Sequence, residues 1–216
     1  MTRAAPLLVA GLVVGALLLT GCQAEKPALK GEGSTGVRVD TPALRAAKRA
    51  AGITTCRTGA DSPATGVNAL PEIPLPCLGG GPTVTLSRLR GPLVINLFAQ
   101  WCGPCRQELP YYQRLSRDGA GRVSVVGVDY LDTLPARAIA LARTAGVTYP
   151  LLADPVGNLR AALHRPGSSS PVVVRGLPGL VFVDAEGRVT DVRFVLVRSY
   201  AQLSDLVRSH LGVDVS

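Results

Sequence analysis

Two cysteines three positions apart stand in Trp101-Cys102-Gly103-Pro104-Cys105, directly after the apolar run Leu93 to Ala99. If a helix starts at the first, they lie one turn apart and can close a small disulfide ring with little backbone movement. A thiol at a helix N-terminus faces unpaired N–H groups and the positive end of the helix dipole, which favours its thiolate. The thiolate is the species that attacks another disulfide, and the second cysteine then resolves the mixed disulfide. A strand that feeds a Cys-x-x-Cys helix start therefore reads as a redox catalyst. The competing readings are a structural bridge and half of a zinc site. Zinc would need two further ligands at similar spacing, and His164 and His210 stand isolated.

The elements that must hold this pair follow from periodicity. Leu93 to Ala99 reads as a buried strand, and a helix is predicted from Cys102 to Ser116, bent at Pro110 where a backbone donor is missing. Val123 to Val128 is a second central strand. Helical spacing runs from Leu134 to Thr144 and ends at Gly146. A short strand from Tyr149 to Ala153 and a short helix from Val156 to Leu163 follow. Leu180 to Val183 and Val189 to Leu196 read as strands joined through Ala185-Glu186-Gly187, a hairpin signal. Tyr200 to Leu211 closes the chain as an amphipathic helix. Upstream, Thr41-Pro42 resembles an N-cap and N1 proline opening a helix to about Ala51, ended by Gly52. Val84 to Leu86 reads as a short strand, and Thr58 to Pro76 as extended loop.

Trp101 to Cys105 is identical to the active-site pentapeptide of thioredoxin, and Pro110 matches the helix-kinking proline of that fold. The string Gly91 to Ala99 followed by Glu108-Leu109-Pro110 more specifically resembles the TlpA/ResA-type family, membrane-anchored thioredoxin-like thiol–disulfide oxidoreductases that work outside the cytoplasm. The resemblance spans about Leu75 to Leu211. It implies an α/β, thioredoxin-like fold: a central mixed sheet flanked by helices, with an inserted strand–helix segment from Leu134 to Ala153 and an N-terminal extension. Cys102 is then the attacking thiol and Cys105 the resolving one. Pro178 falls where such proteins carry a cis-proline beside the disulfide, so the backbone of Leu177 is expected to pair with an extended client segment. Gly179 departs from the pattern, standing where a Thr-like residue is usual. Trp101 is expected to shield the disulfide and form part of the client surface. Asn96 occupies the place of thioredoxin's buried aspartate and cannot titrate. Glu108, one helical turn beyond Cys105, is the nearest acid or base, with a solvated helix charge as its plain alternative. Asp129 is a weaker candidate.

The remaining cysteines locate the protein. Arg3, an apolar stretch from Ala4 to Leu19, and Leu19-Thr20-Gly21-Cys22 resemble a bacterial lipoprotein signal, in which Cys22 is lipidated and becomes the new N-terminus. The alternatives are a plain cleaved signal peptide, giving a secreted protein, and an uncleaved anchor, for which the apolar stretch is short. The reading divides the chain into a signal peptide (1–21), a flexible tether (22–40), an N-terminal extension (41–74) and the thioredoxin-like domain (75–216). An extracytoplasmic location permits a structural disulfide between Cys56 and Cys77 across a proline-rich stretch, worth about 3 kcal/mol by chain entropy. The rival is that Cys77 serves the active site as an additional redox partner.

The chain carries 23 Lys and Arg against 15 Asp and Glu, a net charge of +8. No basic block with interleaved aromatics accompanies that charge, which argues against nucleic acid and for mild attraction to an anionic membrane surface. No cofactor or metal is implied. Partners implied by the resemblance are exported proteins with cysteine pairs, such as apocytochrome c, and a membrane thiol–disulfide electron donor. The same residues would serve an oxidant of exported thiols. A thiol peroxidase would want a peroxidatic cysteine supported by threonine and arginine, and a copper chaperone a methionine or histidine beside the thiols. Neither is matched as well. The Arg165 to Ser170 segment is expected to form a loop near the site.

Overall fold

The computed structural model describes Met1–Thr2 and residues 36–215. The expected signal segment, Cys22 and most of the tether lie outside the described residues. From the N-terminus run α1 (Pro42–Ala50), β1 (Pro74–Leu75), β2 (Val84–Thr85) and β3 (Leu93–Phe98). Then come α2 (Gly103–Asp118), β4 (Ser124–Tyr130), α3 (Pro135–Thr144) and β5 (Leu151–Asp154). The chain ends with β6 (Gly179–Val183), β7 (Val189–Arg193) and α4 (Tyr200–Leu211).

Five strands form one mixed sheet in the order β5-β4-β3-β6-β7. β3, β4 and β5 are parallel, joined by the crossover helices α2 and α3; β6 and β7 run antiparallel, joined by a hairpin. All six residues of β3 are buried, as a strand covered on both faces requires. Alternate residues serve two cores. Val94 and Phe98 point into the face covered by α2, α3 and α4, where Leu109, Tyr112, Ile139 and Leu203 pack. Leu93, Ile95 and Leu97 point to the opposite face, covered by irregular segments that contribute Leu70, Leu75, Leu159 and Val174.

Local chemistry explains most boundaries. The Thr41 hydroxyl accepts the N–H of Leu44 at the start of α1, and Ser199 does the same for Gln202 in α4. Glycines in the left-handed region follow α1 and α3 at Gly52 and Gly146. The hairpin between β6 and β7 turns at Gly187 (φ 83°), with the Asp184 carboxylate holding the N–H groups of Glu186 and Arg188.

Three expectations need correction. Val156 to Leu163 is no α-helix but a 3-10 turn over Asn158–Ala161: the Asp154 carboxylate takes the N–H groups of Asn158 and Leu159, tightening the chain at once after β5. β7 stops at Arg193, because that residue already faces Leu180 and the partner strand then leads back to Pro178, which has no N–H to offer. Within the stretch expected as loop, Pro74–Leu75 pairs antiparallel with Val84–Thr85.

The extension 41–74 packs into both cores of the sheet. Leu44 and Ile53 belong to the helix-side core with Phe98, joined there by Val39 from the end of the expected tether, while Cys56 and Leu70 belong to the other. The described residues from Gly36 onward lie in one compact unit. Pro76 and Leu78 hydrogen-bond to Ala153 and Leu151, so this stretch covers the outer edge of β5.

Candidate active site

The C-terminal ends of β3 and β4 and the start of the antiparallel β6 fall at the same end of the sheet. Three connections therefore meet there: the Ala99–Cys102 turn, the Leu131–Leu134 turn and the approach to β6 through Leu177–Pro178.

Cys102 is the N-cap of α2, with extended backbone, and its sulfur accepts the N–H of Cys105 at 3.2 Å. Pro104 occupies the first turn, where a missing N–H costs nothing. Cys102 and Cys105 are joined as a disulfide, and both are buried. The buried face of α2 continues through Glu108, Leu109, Tyr112 and Leu115, and the exposed Pro110 lies inside the helix on the other side.

Glu108 is fully buried on that stripe. Its Oε2 accepts the N–H of Val197 at 3.0 Å, while Oε1 has no hydrogen-bond partner. Burial pushes the carboxyl up to about 8, against which the single backbone N–H pulls weakly. A solvated helix charge is thus ruled out for Glu108: it is a carboxyl in the core, where burial favours its neutral form. Asn96, on the central strand beneath α2, is also buried and accepts a hydrogen bond from the Tyr149 hydroxyl at 3.4 Å.

Trp101 is 53 % exposed, its indole N–H donating to the carbonyl of Leu131 at 3.2 Å. The turn that supplies this carbonyl is shaped by an acid the sequence did not single out. Asp132 accepts the N–H of Gln100 at 2.7 Å and that of Leu134 at 2.8 Å, fastening the turn before Cys102 to the turn after β4. Leu131, between the two, adopts a left-handed φ of 52°. Asp129, also buried, has its carboxyl held well above the usual range by burial and then by the neighbouring Asp132 charge. The signal for Asp132 was present in Asp132-Thr133-Leu134-Pro135, an Asx-type turn before an N1 proline.

On the other side, the Leu177–Pro178 bond is cis, as expected, and Leu177 packs against the core that holds both active-site sulfurs. Gly91–Pro92 is also cis, which the sequence did not announce. Gly179 is bare for a reason: a Cβ there would meet Leu97 at 3.2 Å and the Phe194 ring at 3.3 Å. Phe194, Trp101 and Leu134 are exposed apolar side chains at this end of the sheet. The Arg165 to Ser170 loop is closed at its base by the Leu163–Val172 bridge and by an Arg165–Asp191 ion pair at 3.1 Å.

Elsewhere, Cys56 and Cys77 form the second disulfide. Among the described residues no three His, Cys, Asp or Glu side chains converge as a metal site would require, and no helix is long and apolar enough to cross a membrane.

A Cys-x-x-Cys disulfide capping a helix on this mixed sheet defines a thioredoxin-like disulfide oxidoreductase. Residues 67–192 match the AhpC/TSA family, and the chain belongs to it. It is 26 % identical to the "Thioredoxin-like protein YneN" of Bacillus subtilis over 56 % of this chain and 67 % of that one. It is 33 % identical to the "Thiol:disulfide interchange protein DsbE" of Pseudomonas fluorescens biotype C, over 56 % of this chain but only 62 % of that protein's length. A solved thiol:disulfide interchange protein of the thioredoxin family from Chlorobium tepidum superposes with a TM-score of 0.53 at 26 % identity, covering 71 % of this chain and all of that one. Relatives of the thioredoxin-like thiol:disulfide interchange type are those to which the sequence resemblance pointed.

A carboxyl that is neutral in the fold and ionised in the unfolded chain makes stability fall as pH rises. For Glu108 the fall runs from about 4.5 to about 8 and amounts to roughly 5 kcal/mol. Glu108→Gln should abolish this slope, leaving the oxidised variant more stable than the wild type at pH 9 in denaturant titrations. Asp132→Ala strands two backbone N–H groups and should cost about 2–4 kcal/mol in the same assay.

Proposed function

We propose that the protein is an extracytoplasmic, membrane-anchored thiol–disulfide oxidoreductase that reduces disulfides of exported proteins. The observation that carries this reading is the Cys102–Cys105 disulfide at the α2 N-terminus, with exposed Trp101 and the Leu177–Pro178 backbone at the same end of the sheet.

In the reduced protein, the helix N-terminus favours Cys102 as thiolate. Cys102 attacks one sulfur of the client disulfide; that S–S bond breaks and the client's other sulfur leaves as a thiolate, which takes a proton from solvent. Cys105 then gives up its proton and attacks Cys102, releasing the client's second sulfur and closing the ring seen here. Glu108 is the titratable group on the buried face of α2 suited to exchange a proton with Cys105, since Asn96 cannot titrate. Leu177 offers main-chain groups to an extended client, and Trp101, Leu134 and Phe194 offer apolar contact around it.

The location rests on the lipobox-like Leu19 to Cys22 and on the Cys56–Cys77 disulfide, a bond that persists in oxidising compartments. Cys22 then carries the lipid, and a membrane thiol–disulfide carrier supplies electrons. The client class implied by the resemblance is an exported Cys-pair protein such as apocytochrome c.

With the full chain carrying Cys105→Ser, a disulfide-closed Cys-x-x-Cys-His peptide should be trapped as a mixed disulfide on Cys102. Cys102→Ser should trap none. A Cys102→Ser chain that still captured the peptide would refute the assignment of the nucleophile.

A further inference from the structure

The second disulfide has surroundings that a purely structural bridge does not need. The Lys48 side chain is buried, and its Nζ lies 2.9 Å from Cys77 Sγ and 2.8 Å from the carbonyl of Gly80. Burial drives the Lys48 amine below its ordinary range, with the nearby Asp40 charge opposing weakly. The backbone N–H of Cys56 also points at Cys77 Sγ, at 3.3 Å. Two donors thus converge on one sulfur of a neutral disulfide, a weak acceptor. Both would bind far better to a thiolate at the same place. Gly81 (φ 130°) also packs close to this sulfur: a Cβ there would lie 3.1 Å from Cys77 Sγ.

The other sulfur belongs to a residue on the wall of a cavity. A cavity of about 480 Å³ lies at the N-terminal ends of β3 and β4, away from Cys102, and its wall includes Cys56 together with Arg57, Arg88 and Arg90. Neither Cys77 nor Lys48 lines it. None of the three arginines has a carboxylate partner among the described residues. Arg88 and Arg90 are held by backbone carbonyls, including those of Ala60 and Ser62, which fixes their positive charge at the cavity rim.

We propose that Cys56–Cys77 is a second thiol–disulfide exchange site, whose substrate is a low-molecular-weight anionic thiol entering the arginine-lined cavity. The thiolate RS⁻ attacks Cys56 Sγ from the cavity, forming a Cys56–SR bond as the Cys56–Cys77 bond breaks. Cys77 leaves as a thiolate and pairs with the Lys48 ammonium. A second RS⁻ attacks the sulfur of the SR group, giving RSSR and a Cys56 thiolate that takes a proton from solvent. Two thiols are oxidised and the protein disulfide gains the two electrons. The bond is polarised by its setting: Cys56 on the wall of the cavity, Cys77 beside the cation.

The test uses the full chain carrying Cys102→Ser and Cys105→Ser, so that its failure leaves the primary reading untouched. The chain is equilibrated with reduced and oxidised glutathione, quenched in acid, alkylated and mapped by mass spectrometry, with circular dichroism recording the fold. The expected result is a glutathione adduct on Cys56 alone, formed while the chain is folded. Lys48→Met should lower the equilibrium constant for reduction at least tenfold. Arg57→Gln should slow the reaction with glutathione but not that with the uncharged 2-mercaptoethanol. An adduct on Cys77, or reduction only as the chain unfolds, would overturn the proposal. Both of these results are read on the chain with Lys48 intact, so they decide the matter even if Lys48→Met does not fold.

Discussion

The cap of α2 is a sulfur atom. Among the described residues, α1 and α4 begin with a side-chain hydroxyl as acceptor, whereas at α2 the acceptor for a first-turn N–H is Cys102 Sγ, which receives the N–H of Cys105. That one hydrogen bond couples the start of the helix to the chemistry of the pair. It places the second thiol one turn on, inside the core, and leaves the first at the boundary between helix and loop. The sheet exists in this order to hold that boundary still: β3 delivers the chain to Cys102 from the centre, β4 brings the turn that Asp132 ties to Gln100, and β6 brings Leu177–Pro178 from the opposite direction.

Burial shifts two acids of these elements. Glu108 and Asp129 are both raised chiefly by burial, which favours the uncharged form of each carboxyl. Glu108 differs from Asp129 in lying on the same helix face as Cys105, one turn further in. Asp132, by contrast, spends its two oxygens on backbone N–H groups and acts on the geometry of the loop.

The central part of the fold was legible because its signals are local. The apolar run before Cys102, the hairpin around Gly187 and the capped ends of α1 and α4 each follow from a few adjacent residues. So did the cis bond at Pro178, through its position relative to the motif. What was not legible depended on side-chain competition for backbone groups or on partners distant in sequence. The shortening of Val156 to Leu163 into a 3-10 turn comes from the Asp154 carboxylate taking helix-starting N–H groups, a competition that hydrophobic spacing does not register. Glu108 could be placed beside Cys105 by helical period, but its burial depends on α2 meeting the segment around Val197, 89 positions away. Lys48 reads as one of several surface cations until the chain brings it against Cys77.

The two disulfides share a device, a donor aimed at one sulfur: the Cys105 N–H at Cys102, and the Lys48 ammonium with the Cys56 N–H at Cys77. For the first pair the central claim is that it runs as a reductant, since no charged residue stands between its thiols. The direct test is the reduction potential of Cys102–Cys105 in the full chain, read by equilibration against a dithiol of known potential and peptide-resolved trapping of the two cysteines. A reversible two-electron couple with a midpoint near −270 mV, about that of thioredoxin, is the predicted result. A midpoint near about −120 mV, or the absence of any reversible couple, would contradict it.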